Sequence, residues 1–315
     1  MPYNSLIGRG DMGGLIPVER SREIIQGAIG KSVVLSLGRR LRDMPSATRT
    51  LPVMSALPVA YFVSGDNGLK QTTEVNWEGL TLTAEEVAVI VPIPQAALDD
   101  SAFPIWDEIQ PSLEEAAGRA IDQAVLFGTN KPSSWPTAIY TAAVAAGNSL
   151  TALSGSPATD LYDNILGVGG VVGMVEADGF MVTGHVADVS LRARLRGLRD
   201  TTGQPIFLRS LQTDARYELD GEPVLFPRNG SMVPGTALLF CGDWDHLVYA
   251  WRQDINYMVA DQGVIQDSGG NIVYNLFQQD MVALRMTLRL AVQLPNPVTA
   301  LNSASTRYPF AVLKP

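Results

Sequence analysis

Residues 281–294 read MVALRMTLRLAVQL, and their side chains alternate with a period of two. The apolar set is Val282, Leu284, Met286, Leu288, Leu290, Val292 and Leu294, and between them lie Arg285, Thr287, Arg289 and Gln293. Because successive side chains of a strand point to opposite faces, this pattern predicts a half-buried β-strand. At the usual rise per residue the strand is about 43 Å long, more than twice the common length. Such a strand favours a flat plate over a compact enzyme.

The clearest helix is predicted over residues 105–127. Its apolar face follows helical spacing and consists of Ile105, Ile109, Leu113, Ala116, Ala117, Ala120, Ile121, Ala124 and Val125. Pro104 suits the start of a helix and Gly128 suits its end. A helix about 34 Å long beside the long strand would form a rigid spine.

Residues 51–86 are strand-rich and are interrupted by a turn segment, SGDNG, at 64–68. The apolar positions change phase at Gly79, which predicts a β-bulge there. The segment has too few large apolar side chains to build its own core, and an isolated hairpin is marginally stable in water. We therefore expect another subunit to cover it.

The remaining segments mix helices and strands without a repeated βαβ order, which favours an α+β class. The predicted elements are an arm with a short helix in residues 18–29 and a second helical pattern at 32–41, a strand at 87–93, helices at 160–176 and 186–198, a strand at 180–183, and short strands between 205 and 251.

Composition excludes several classes of protein. The chain has 315 residues and is 46% apolar, which is enough for a buried core. No run of 18 apolar residues and no secretory signal occurs, so we expect a soluble protein made in the cytoplasm. The single cysteine, Cys241, excludes a disulfide framework and a thiolate metal cluster.

Charged residues are distributed unevenly along the chain, whose net charge is −9. Residues 1–50 carry eight basic and four acidic side chains, whereas residues 51–128 carry two basic and twelve acidic ones. A basic arm on an acidic body fits an acidic neighbour or a weak nucleic-acid contact. Because the Lys and Arg residues are scattered, we expect no sequence-specific DNA binding.

Two groups of residues carry possible chemistry. Asp243 and Asp245 form a DxD pair of the kind that holds a divalent ion in nucleotide-sugar transferases, although a turn explains them more simply. His185 and His246 are the only histidines, and neither stands beside a nucleophile in a recognisable motif. We expect no catalytic residue, no cofactor and no metal.

Five segments occur in the order found in one family. They are TAEEVAVIVPIPQAALDDS at 83–101, IWDEIQPSLEEAAGRAIDQAVLFGTN at 105–130, LRGLRDTTGQPIF at 195–207, GEPVLF at 221–226 and the block 242–297. Taken together, these segments resemble the tailed-bacteriophage major capsid proteins, the HK-ninety-seven-like family.

The resemblance implies an α+β HK-ninety-seven-like capsid fold divided into four parts. These are an N-terminal arm at 1–50, an extended β-hairpin loop at 51–86, a peripheral domain at 87–140 and 252–292 with the spine helix 105–127 and the long strand, and an axial domain at 141–251 and 293–315.

The resemblance also implies a structural function. Hexamers and pentamers of the chain would tile an icosahedral shell that encloses double-stranded DNA in the virion and assembles in the host cytoplasm. The implied partners are further copies, a portal protein, and separate scaffolding and decoration proteins, with no membrane. An encapsulin shell around protein cargo is the alternative, and a DxD transferase comes last.

Subunit contacts are expected in the extended loop and the arm. The residues are Tyr61, Phe62, Lys70 and Trp77 of the loop and Arg20, Arg22, Arg39, Arg40 and Arg42 of the arm. Because the chain reaches the arm within about twenty residues of Met1, we also expect no scaffolding extension to be cleaved from it.

Some family members weld their shells with a lysine–asparagine isopeptide bond that a glutamate assists. Lys70 is the only lysine of the loop and Asn275 lies near the expected acceptor, but the position of the glutamate reads Met281, Val282, Ala283, Leu284. Without a proton acceptor the lysine remains an ammonium group and is a poor nucleophile. No covalent crosslink is expected.

Overall fold

The computed structural model describes residues 32–60, 62–63, 70, 72–100, 105–152, 158–197, 217–302, 304 and 306–315. Its helices are α1 Val33–Leu37, α2 Gln95–Asp99, α3 Ile105–Leu126, α4 Ile139–Ala146, α5 Ala158–Leu166, α6 Val171–Ala177 and α7 Val189–Gly197, with a 3₁₀ turn at Trp244–His246. Its strands are β1 Arg39–Arg40, β2 Thr48–Ala56, β3 Asn76–Thr83, β4 Glu85–Pro94, β5 Ser149–Thr151, β6 Gly184–Ala187, β7 Glu218–Leu219, β8 Glu222–Leu225, β9 Leu239–Gly242, β10 Val248–Ala260, β11 Val264–Gln266, β12 Ile272–Asn275, β13 Met281–Gln293 and β14 Phe310–Lys314.

The long strand is the centre of a four-stranded sheet with the order β1-β10-β13-β4. β13 has 13 residues and begins one residue before the predicted span, so the prediction from the alternating pattern is confirmed. It pairs antiparallel with β10 on one side and with β4 on the other. The register of β10 shifts on either side of Gln253, and such irregularities increase the twist of a sheet.

The predicted spine helix is α3, which has 22 residues and ends one residue earlier than predicted. Its buried face, including Leu113, Ala117 and Ile121, shares a hydrophobic cluster with Leu284 and Met286 of β13. The apolar spacing along the helix therefore identified the face that covers the long strand.

A second sheet has six strands in the order β5-β14-β9-β6-β8-β7. The helices α6 and α7 pack on it through Val171, Val175, Leu191 and Leu195, all buried in one cluster. Its opposite face joins the core of the spine helix, where Trp244 and Phe310 meet edge to face at 5.0 Å. The strand β10 continues through residues 251 and 252, where the domain boundary is predicted, and its pairing with β13 shifts register between Trp251 and Gln253.

Several details of the sequence prediction are wrong, beginning with the bulge at Gly79. Gly79 lies in regular register opposite Pro52, and the irregularity occurs between Met54 and Ala56 instead. A Cβ atom at Gly79 would lie 3.1 Å from Thr50 Cγ2, so the missing side chain serves a close approach between the strands.

The other corrections concern the helices and the strand predicted between residues 160 and 198. The predicted helix 160–176 is two helices, α5 and α6, because Gly169 between them has a φ of 86°. The predicted strand 180–183 is wrong by four residues, since pairing with β9 begins at Gly184. Val186 therefore lies in β6, and the helix predicted from 186 begins at Val189.

Candidate subunit-contact surfaces

The hairpin β2–β3 is fixed to the body at its base. Leu82 is completely buried and packs with Ala291 and Met44 in a small cluster. The Gln293 side-chain amide donates a hydrogen bond to the Thr81 carbonyl at 3.0 Å. These contacts hold the direction of the hairpin relative to the long strand.

The distal part of the hairpin is exposed. Trp77 keeps 64% of its surface accessible, Val59 keeps 70%, and Phe62 is fully accessible. Lys70 is also exposed. Large apolar side chains that remain in water mark an interaction surface when they are grouped on one element. Of the predicted loop residues, Tyr61 lies outside the described residues.

The arm presents its described arginines to solvent. Arg39 and Arg40 form β1, which runs parallel to the start of β10, and both are exposed, as is Arg42. Arg40 forms an exposed ion pair with Asp43 at 3.0 Å, and the Asp43 carboxylate raises the pKa of Arg40. Arg20 and Arg22 lie outside the described residues.

A buried carboxylate that the sequence analysis missed joins the arm to the spine helix. Asp122 of α3 has no exposed surface and accepts hydrogen bonds from the Ser32 hydroxyl at 2.5 Å and from the backbone N–H groups of Val33 and Val34, both at 3.1 Å. The Asn229 side-chain amide donates to the same carboxylate at 3.1 Å. Burial raises the pKa of Asp122. The signal in the sequence that could have identified Asp122 is its position as a single aspartate on the apolar stripe of a long helix.

A second exposed apolar surface, which the sequence analysis also missed, lies at the far end of the long sheet. It comprises Met258 and Val259 at the end of β10 with Ile272, Val273 and Phe277 around the hairpin β11–β12. Ile272 keeps 63% of its surface accessible and Phe277 keeps 79%. The short run Ile272, Val273, Tyr274, of consecutive apolar and aromatic residues, was the signal in the sequence.

The residues considered for catalysis lie in the 3₁₀ turn with its preceding residue and in β6. Asp243 caps the 3₁₀ turn by accepting a hydrogen bond from Asp245 N at 3.2 Å, which confirms the interpretation of the DxD pair as a turn. His246 Nδ1 lies 3.1 Å from an oxygen of the same carboxylate. His185 is buried on β6 opposite Cys241, and burial lowers its pKa to about 4. Among the residues with described positions, no three His, Cys, Asp or Glu side chains gather into a metal site.

Three residues considered for a crosslink, Asn275, Val282 and Ala283, each have partners within the chain. The side-chain amide of Asn275 donates to Gln278 Oε1 at 2.9 Å within a turn. Val282 and Ala283 are strand residues of β13 and pair with Ile93 and Pro92. Neither of these two apolar side chains can accept a proton from an amine.

No helix in the described part of the chain is long and apolar enough to cross a membrane.

A family model and a phage protein both match most of the chain. The model of the phage capsid family matches residues 12–301. The major capsid protein of Staphylococcus phage 80alpha is 26% identical over 287 residues, which are 89% of this chain and 82% of that protein.

Solved structures match over the whole fold. A chain from Microbacterium phage Oxtober96 is 35% identical, with a TM-score of 0.83 and coverage of 99% of this chain and 100% of that chain. A chain from Mycobacterium phage Cain is 32% identical, with a TM-score of 0.82 and coverage of 99% of both. The predicted α+β, HK-ninety-seven-like fold is confirmed, and the chain belongs to the phage capsid family.

Proposed function

We propose that the chain is the major capsid protein of a tailed bacteriophage. Its copies associate as hexamers and pentamers into an icosahedral shell around double-stranded DNA. The observation that carries this proposal is the hairpin β2–β3, which is buried at its base through Leu82 and exposed at its distal part through Trp77 and Phe62. An apolar element of this kind gains stability when other subunits cover it.

The arm and the hairpin supply the contacts in this proposal. Arg39, Arg40 and Arg42 face acidic surfaces of neighbouring copies, and the residues of the hairpin pack on the plate of the next subunit. The peripheral domain at 87–140 and 252–292 and the axial domain at 141–251 and 293–315 keep the roles expected from the sequence.

The remaining partners follow from the same proposal. A portal protein occupies one vertex, scaffolding and decoration proteins are separate chains, and assembly takes place in the cytoplasm of the bacterial host. DNA is enclosed without sequence-specific contacts, because the chain carries a net charge of −9 and its basic residues are scattered.

The encapsulin alternative is not favoured. The matching protein of Staphylococcus phage 80alpha is named a major capsid protein, and the two solved structures described above come from phages. The contents of the shell distinguish the two functions. A phage shell encloses DNA and has a portal, whereas an encapsulin encloses a protein cargo.

Electron microscopy of the expressed chain tests the proposal directly. We expect closed particles with icosahedral symmetry and diameters on the order of hundreds of ångströms, because closed symmetry follows from repeated subunit contacts. A chain that remains monomeric at high concentration, in the presence and absence of the phage's other head proteins, would contradict the proposal.

A further inference from the structure

A cavity of about 620 Å³ lies between α7 and β8, near the edge of the six-stranded sheet. Val189, Val224, Leu225 and Phe226 contribute apolar walls. Arg192 of α7 and Arg228, which follows β8, are the charged residues among its described lining. The cavity is therefore an apolar recess with two guanidinium groups.

Arg192 is held in place by an aromatic pair. Its guanidinium carbon lies 4.4 Å from the centroid of the Tyr217 ring, and Tyr217 meets Phe226 edge to face at 5.3 Å. The Nε atom of Arg192 is buried and has no hydrogen-bond partner within the part of the chain that the structure describes. A buried donor without a partner costs free energy unless another group supplies an acceptor.

The charge of the recess is not balanced by its own described residues. Its described lining includes no Asp or Glu, and the ion pairs found among the described residues do not involve Arg192 or Arg228. Two guanidinium groups that face one recess attract an anion, and the planar guanidinium matches a carboxylate in particular.

We propose that this recess, named here the Arg192 pocket, binds the carboxylate of an aspartate or glutamate from an adjacent copy of the chain in the shell. This inference rests on the proposed function, since it requires copies to lie side by side. The pocket supplies a specific polar contact between subunits, distinct from the hairpin and the arm.

Two observations favour a protein carboxylate over a DNA phosphate. The described part of the lining is apolar and aromatic apart from its arginines, so it suits a charged group on an aliphatic stem, whereas a duplex presents phosphates on a wide hydrated surface. The chain also carries 32 acidic against 23 basic residues, so its copies offer one another many carboxylates.

The position of β8 next to the outermost strand of the sheet leaves the pocket near an edge that a neighbour can reach.

Photo-crosslinking from the pocket tests the occupant while both arginines remain. Val189→p-benzoylphenylalanine places a photoreactive ketone in the lining. Shells assembled from a mixture of normal and heavy-nitrogen chains are irradiated, and their peptides are identified by mass spectrometry. We expect mixed-label pairs whose attached peptide contains Asp or Glu.

The other outcomes of that experiment overturn the inference. Crosslinks confined to a single chain, for example to residues 198–216, would show that the chain fills its own recess. Crosslinks to DNA would assign the pocket to nucleic acid. Intact shells without any crosslink between copies would show that no neighbour enters the pocket, while the proposed function would stand.

A second test uses charge removal and a matched control. The double variant Arg192→Gln, Arg228→Gln loses both guanidinium groups, whereas Arg194→Gln removes a charge from the same helix outside the pocket. We expect the double variant to need a subunit concentration on the order of tenfold higher for assembly at low salt. Circular dichroism checks that the free subunits fold alike. Equal assembly of the double variant and Arg194→Gln would overturn the inference.

Discussion

The Ser32 hydroxyl donates a 2.5 Å hydrogen bond to the Asp122 carboxylate across 90 residues of chain. The same hydroxyl accepts the Leu35 N–H at 3.2 Å, so it caps α1 while it binds α3. The pair therefore fixes the point at which the arm meets the spine helix.

Replacing Asp122 should destabilise the free subunit. Asp122→Ala removes the acceptor of four hydrogen bonds and leaves the N–H groups of Val33 and Val34 without a buried partner. We expect a loss of about 2–4 kcal/mol in the free energy of unfolding. Urea denaturation followed by circular dichroism measures it. Arg119→Ala, an exposed change on the same helix, is the control and should alter stability by less than about 0.5 kcal/mol.

The two ends of the hairpin should respond differently to substitution. Trp77→Ser removes an exposed side chain, so the free energy of unfolding of the subunit should change by less than about 0.5 kcal/mol while shell assembly weakens. Leu82→Ala removes a fully buried side chain at the base and should cost about 2–5 kcal/mol in the subunit itself. Denaturation of subunits and light scattering during assembly separate the two effects. Normal assembly of Trp77→Ser would contradict the role of the distal part as a contact.

Hydrogen exchange offers an independent reading of the same hairpin. Backbone amides at 72–79 should exchange rapidly in free subunits and slowly in shells, because neighbouring copies cover this part after assembly. Amides of β13, which pairs on both sides, should be protected in both states. Equal exchange of 72–79 in subunits and shells would contradict this prediction.

Acid should weaken the subunit through His185. Burial lowers the pKa of this imidazole to about 4, whereas an unfolded histidine takes up its proton near pH 6.5. The unfolded state therefore binds more protons between these values, so stability is complete above about pH 6.5 and falls towards pH 4, by about 3 kcal/mol.

Denaturation of His185→Phe and of the unchanged chain across pH 4–7.5 tests this assignment. The variant should lack that part of the pH dependence, although its stability at pH 7.5 also reflects how the larger ring packs. An unchanged slope in His185→Phe would assign the acid sensitivity to other groups.

Mature shells should contain no covalent links between chains. Boiling them in detergent should give a single band near 33.9 kDa on a denaturing gel, because Val282 and Ala283 cannot accept a proton from Lys70. Ladders of five and six linked chains would contradict this prediction.

The features that the sequence predicts best are those with long periodic patterns. The alternation through Met286 extends along a 13-residue strand and the helical spacing through Leu113 along a 22-residue helix, so each identified an element and its buried face. Short elements were less predictable. Gly79 carries the signature of a bulge, yet it serves a close approach to Thr50 in regular register.

The polar contacts were less accessible to sequence reasoning for a different reason. Asp122 receives donors from residues 32–34 and 229, and Arg192 meets Tyr217, which lies 25 residues later in the chain. These pairs are set by tertiary packing rather than by spacing along the chain. The loop and arm residues could be selected from the sequence because charge and apolar content are local properties of a segment, and their contacts with other subunits stay a prediction.

The long ladder between β10 and β13 converts a small rotation at its core end into a larger displacement at its far end. The ladder extends from Val248 opposite Gln293, within the core, to Ala260 opposite Ala283, near the exposed hairpin β11–β12. At about 3.3 Å per residue, a rotation of about 5° at the core end displaces the far end by roughly 3.5 Å. That displacement approaches the spacing between neighbouring residues along a strand. A small rotation at the core therefore displaces whatever touches Ile272 and Phe277 by roughly 3.5 Å.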